Sequence, residues 1–161
     1  MAKTCNGRSA AGALLLGGCL ALLPVFPTAG ALVGEWRFDD STNRLSAALG
    51  EALGLSGTTM SVTGTTPTDG AVRVGVGSYL RCAHGMAPNG GGAGVNEYSV
   101  VWDFSYPDSS AGQWLCLLQT DVANTNDSDL CIRNTDRAVG IGAVGYSLRT
   151  TDPATWYRLV L

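Results

Sequence analysis

The sequence predicts an all-β domain, an antiparallel sandwich or jelly roll, lying behind an export signal. Three observations carry the fold class. Apolar and polar residues alternate with a period of two at several places after residue 34. Segments rich in Gly, Asp, Asn and Pro separate those runs, as turns between short strands require. Helix formers gather only at residues 43–53 (NRLSAALGEAL), around a central glycine, which allows one or two turns or an irregular strand.

In chain order, residues 1–31 read as a secretory signal peptide. Lys3 and Arg8 form a basic start, and no acidic residue precedes Glu35. An almost wholly apolar run covers 10–26; Pro24 and Pro27 end any helix, and Ala29-Gly30-Ala31 offers the small residues of a cleavage site. A buried or membrane-spanning helix is the rival, but glycines and Pro24 interrupt a run that is marginal for about 30 Å of hydrocarbon. Leu16-Gly17-Gly18-Cys19 is a second processing motif, that of a lipoprotein anchored through Cys19, although the chain stays apolar beyond it. Cleavage after Ala31 leaves residues 32–161 as one small domain, secreted or extracytoplasmic, at the cell surface or in the periplasm.

Trp36 and Phe38 alternate with Glu35, Arg37 and Asp39 and predict a first strand. Thr-Pro-Thr-Asp-Gly at 66–70 marks a turn, after which Val72, Val74 and Val76 alternate around Arg73 and Gly75. The clearest strand is 97–106 (EYSVVWDFSY), where Tyr98, Val100, Trp102, Phe104 and Tyr106 make an apolar face opposite Ser99, Asp103 and Ser105. Residues 114–118 (WLCLL), apolar on both faces, predict a central strand. Leu130 and Ile132, Val139 and Ile141, and the closing WYRLVL add three more. That last run ends at Leu161 with no polar tail and would expose a sheet edge, so the expectation is a fragment lacking its last strands.

Composition narrows function. Ten basic against 13 acidic residues leave a mildly negative chain with no basic patch, which excludes nucleic-acid binding of the usual kind. No second apolar run is long enough to span a membrane after signal removal. Cys5 and Cys19 leave with the signal, so Cys82, Cys116 and Cys131 remain, an odd number in which at least one thiol is unpaired. Cys116 and Cys131 fall on neighbouring expected strands, where a bridge and two small buried hydrophobes are both open readings. Their spacings match no zinc site.

No catalytic constellation stands out. His84, the single histidine, has no obvious orienting acid and no nucleophile elbow accompanies it. Glu35, Glu51 and Glu97 lie far apart in sequence, unlike the paired carboxylates of sandwich glycosidases. The richest polar cluster is Asp121, Asn124, Asn126, Asp127 and Asp129, a density of oxygen donors that suits calcium. It lacks the EF-hand order, and a solvated hairpin loop is the alternative. Asn126-Asp127-Ser128 also matches a glycosylation acceptor. Tyr79, Tyr146, Trp156 and Tyr157 are candidates for stacking on sugar rings; the core is the stronger reading for Trp156 and an even one for the tyrosines.

Taken in order, DGAVRVGVGSYLRCAHGMAPNGGG (69–92), VNEYSVVWDF (95–104), LLQTDVANTNDSDLCI (117–132), GIGAVGYS and TWYRLVL resemble the laminin-G-like, or concanavalin-A-like lectin/glucanase, jelly-roll domains of exported bacterial proteins. The resemblance covers nearly all of 34–161 and implies two antiparallel sheets face to face. It further implies a non-catalytic role, binding extracellular or cell-surface glycans or matrix proteins, in some cases with calcium at the sandwich rim. It carries the 121–129 loop over as a loop and no catalytic residue. The leading expectation is therefore a carbohydrate-binding or adhesion module. A polysaccharide hydrolase or lyase of the same fold and a structural domain of a larger surface protein are the alternatives.

Overall fold

The computed structural model describes residues 30–123 and 128–161. The expected signal peptide, with Cys19, falls outside the described residues except for its last two positions, and Asn124, Asn126 and Asp127 fall outside as well. The unit considered below is Leu32–Leu161.

Its architecture is all-β and antiparallel. Among the described residues ten short strands make three two-stranded sheets and one of four strands, and the one helical element is a 3-10 turn at Asp108–Ser110. β1 (Gly54–Ser56) pairs with β4 (Tyr79–Arg81), and β2 (Thr59–Thr63) pairs with β3 (Gly70–Val74). β5 (Val101–Phe104) pairs with β10 (Tyr157–Val160). β6 (Leu115–Leu118), β7 (Leu130–Ile132), β8 (Ala138–Ile141) and β9 (Gly145–Thr150) follow one another in the four-stranded sheet. Among the described residues no helix is long and apolar enough to cross a membrane.

The β5 periodicity holds from Val100 to Tyr106. Trp102 and Phe104 are half-buried and Tyr106 is buried, whereas Val101 and Asp103 face outward. Across the ladder Trp102 meets Leu159 and Phe104 meets Tyr157, with ring centroids 5.8 Å apart. The outer face carries a bidentate Arg158–Asp103 pair with both bonds at 2.8 Å. Tyr98, expected on the buried face, lies before the strand and is exposed.

The buried apolar side chains concentrate in β7 and β8: Leu130, Cys131, Ile132 and Ala138. All three residues of β7, an inner strand of the sheet, are buried, and Ile132, at 1% exposure, is the best shielded. A fully buried isoleucine contributes about 1.5–3 kcal/mol relative to an exposed one. Tyr106 and Thr151 join this sheet to β5 through a buried hydroxyl contact.

Several sequence expectations are corrected. Residues 35–38 do not form a strand: Glu35 makes only a single bridge to Leu49, and Phe38 takes a φ of 61°, which no strand accommodates. That turn brings Phe38 O and Asp39 onto Gly70, where a β-carbon would clash, and lets Asp39 accept the Gly70 N–H at 2.9 Å. Residues 43–53 form turns rather than helix, ordered by the Asp40 carboxylate, which accepts the Thr42 and Asn43 amides. The strand around Val72 and Val74 ends before Val76, which sits fully exposed in a turn closed by Ser78 N–H to Gly75 O. β6 is an edge of its sheet and not a central strand.

Candidate functional site

Direct partners in an antiparallel ladder present side chains to the same face. Cys116 opposes Cys131, Cys131 opposes Gly140, and Gly140 opposes Tyr146, so these four residues form one row across β6–β9. Gly140 has no side chain, and the Tyr146 ring occupies the space: a β-carbon there would lie 2.8 Å from Tyr146 Cδ1. Leaning over the glycine, the Tyr146 hydroxyl comes 3.7 Å from Cys131 Sγ. Burial and this neighbour push the phenol above its ordinary range, the cysteine first.

Trp114 and Arg133 flank the row, two residues from Cys116 and from Cys131. The Trp114 and Tyr146 centroids are 6.3 Å apart with planes at 54°, and Trp114 is 55% exposed. Arg133 places its guanidinium carbon 4.2 Å from the centre of the Tyr146 ring, a cation–π contact. Its other edge forks onto Asp136, with Nε donating to Oδ1 at 2.9 Å and a second, closer bond from Nη2 to Oδ2. The β7–β8 turn supplies this geometry. Arg133 N–H donates to Ala138 O, Arg137 N–H donates to Arg133 O, and Ala138 N–H donates to Asp136 Oδ1. Arg137 takes a φ of 63°, held there by its carbonyl, which accepts both the amide and the hydroxyl of Thr151 at 3.0 Å. The Arg133 hydrogen bond, followed by the Ala138 amide, holds the Asp136 carboxyl down to about 2.

The result is a small platform with an exposed indole, a tyrosine capped by a guanidinium, and a carboxylate beside it. An indole face accepts the apolar face of a flat ligand, while the fork of Arg133 and Asp136 offers donors and acceptors to hydroxyl groups. Of the aromatic residues expected to stack, Tyr146 belongs to this platform. Tyr157 packs on Phe104 and accepts the Asp152 N–H at its hydroxyl, while Tyr79 and Trp156 are partly exposed elsewhere. Trp114 was hidden in an apolar run that pointed to a core strand. No feature of WLCLL distinguishes an edge from a centre.

Within the expected calcium loop, Asp129 Oδ2 accepts the Thr120 amide at 2.5 Å and its hydroxyl at 2.6 Å. Asp121 Oδ1 accepts the Ala123 N–H at 3.0 Å. These carboxylates brace the two ends of the loop whose middle lies outside the described residues. Among the described residues no three His, Cys, Asp or Glu side chains gather as a metal cluster.

Other polar residues serve local structure. His84 Nδ1 accepts the Met86 N–H at 3.1 Å, and Glu35 pairs with Arg37 at 2.8 Å. Asn89 organises the loop before β5: its Oδ1 accepts the Asn96 and Glu97 amides and its Nδ2 donates to Glu97 O. A hollow of about 350 Å³ lies between Asp39 and the β2–β3 hairpin, lined also by Ser61, Thr63, Thr68 and Asp69. Its carboxylates already accept protein donors, Asp39 from Gly70 and Asp69 from the Thr65 amide and hydroxyl.

Compared with protein-family models, with curated proteins and with solved structures, the chain matches none.

Proposed function

We propose that the chain is an exported, non-catalytic carbohydrate-binding or adhesion module with a laminin-G-like jelly-roll fold. The all-β antiparallel architecture supports the fold part of this reading. The observation that carries the function is the platform on the β6–β9 sheet. Trp114 exposes more than half of its surface beside Tyr146, Arg133 and Asp136, which already hold one another in place. An apolar ring left in water beside a preformed ionic fork suits a ligand with an apolar face and a polar rim, and a pyranose ring has both. Extracellular or cell-surface glycans are the partners this chemistry favours, with calcium at the 121–129 loop as a stabilising ion.

A glycan array probed with residues 32–161 tests the reading. Binding to a defined glycan class, reduced at least tenfold by Trp114→Ala and by Arg133→Gln, supports it. Absence of binding across the array, or binding indifferent to both substitutions, overturns the platform as the site.

A further inference from the structure

We propose that Cys116 and Cys131 form a cross-strand disulfide when the chain meets an oxidising thiol–disulfide couple. The two residues are direct register partners on β6 and β7, so their β-carbons face each other on one side of the sheet. Opposed positions in an antiparallel pair bring β-carbons to about 4.5–5.5 Å, whose lower end meets the upper end of the about 3.5–4.5 Å that a disulfide spans, so a small approach of edge strand β6 closes the gap. Both residues are thiols here, and their sulfurs make long contacts: Cys116 Sγ to Leu118 O at 3.6 Å, and Cys131 Sγ to Gly140 O at 3.6 Å and to the Tyr146 hydroxyl at 3.7 Å, while Cys116 also bonds the Ser128 side chain. Closing the bridge exchanges these weak sulfur contacts, including the one to the Tyr146 hydroxyl, for a covalent bond. Cys116 is exposed on the edge strand while Cys131 is buried, an arrangement in which an outside disulfide reaches the first and the second resolves the mixed species.

The chemistry balances as two exchanges. The Cys116 thiolate attacks oxidised glutathione, forming a mixed disulfide and expelling one glutathione thiolate. The Cys131 thiolate then attacks the Cys116 sulfur, closing the bridge and expelling the second. Two protein thiols are oxidised, one glutathione disulfide is reduced, and the two thiol protons pass to the departing thiolates. Burial pushes the Cys116 thiol up, so thiolate is scarce at neutral pH and closure should accelerate as pH rises toward 9.

The bridge would lie between Trp114 and Arg133, two residues from each, and would fix the separation of the strands that carry them. It would also clamp the base of the 119–129 loop. In cells its formation rests on the export proposed above; with purified protein it does not, so the two readings fail separately.

The test treats purified residues 32–161 with oxidised glutathione at pH 7 and pH 9, followed by intact mass and peptide mapping. The expected result is a loss of about 2 Da, two hydrogens, with one cross-linked peptide pair containing Cys116 and Cys131, formed faster at pH 9. The Cys82→Ser variant should retain the bridge and Cys116→Ser should lose it. Dithiothreitol should reverse it and lower the melting temperature of the oxidised protein. Free thiols at both positions after prolonged oxidation, a bridge that uses Cys82, or cross-linking between two copies would overturn the proposal.

Discussion

The Tyr106 hydroxyl donates to the backbone carbonyl of Thr151 at 2.9 Å and lies 3.1 Å from its hydroxyl, 45 residues away in sequence and with both residues buried. Thr151 in turn donates through its amide and hydroxyl to Arg137 O, so the end of β5 is tied to the turn that presents Arg133. Tyr106→Phe removes the hydroxyl and leaves buried acceptors unmet, which should cost about 1–3 kcal/mol. Urea unfolding would show a lower midpoint with an unchanged slope; an unchanged midpoint would mean the contact is not holding the two parts together.

Gly140→Ala is the second test. A methyl group there meets the backbone and ring of Tyr146 and the Gly145 carbonyl, so the ring must leave the row. Overpacking of this kind should cost about 1–3 kcal/mol. Gly142→Ala, whose β-carbon would meet only the Tyr146 hydroxyl at 3.8 Å, is the matched control and should be close to neutral. Thermal melts of the two variants, measured side by side, separate the site-specific effect from a general response to losing a glycine.

Acid should loosen the Arg133–Asp136 fork in a defined window. The folded carboxyl of Asp136 sits at about 2, below the unfolded value near 3.9. A depressed carboxylate stabilises the fold above the unfolded value, and that contribution is lost as pH falls through about 2. Carboxyl-carbon NMR titration should therefore place Asp136 well below the ordinary aspartates, and Arg133→Gln should return it toward them. An Asp136 that titrates normally in the unsubstituted protein would remove the fork from the platform.

Calcium should raise the melting temperature if the 121–129 loop holds it, since binding to the folded state alone stabilises by mass action. A rise of a few degrees, reversed by chelator and absent in Asp127→Ala, is the expected outcome. No shift in the intact domain at millimolar calcium would rule the ion out.

Periodicity made β5 and β10 legible in the sequence, because Trp102, Phe104, Tyr157 and Leu159 alternate as half-buried strands must; the strands at β7 and β8 were also foreseen, but β7 is buried at every position and β8 buries Ala138 and Gly140 more deeply than Val139 and Ile141. β2 (TMSVT) was not legible, since threonine and serine line one of its faces and Met60 on the other is exposed. The supposed first strand at Trp36 and Phe38 failed for a tertiary reason. Asp39 is drawn to the Gly70 amide, and Phe38 takes a left-handed φ to allow it. At the site, Tyr146 was foreseen as a stacking candidate, but Trp114 was not. Its role depends on β6 being an edge, and strand order is a property of the whole chain rather than of five residues.

The concentration of buried side chains in β7 and β8 also sets the order in which the molecule should come apart. Native proteins open in cooperative pieces, and amides in the best-packed piece exchange with solvent last. Leu130, Cys131 and Ile132 should be the slowest to take up deuterium, whereas the two-stranded ladders β1–β4 and β2–β3, with Ala71 as their one buried hydrophobic residue, should open sooner. A protease acting on briefly opened molecules would then cut ahead of β5 first. The surviving C-terminal part would retain the row from Cys116 to Tyr146, and with it the capacity to recognise whatever Trp114 faces.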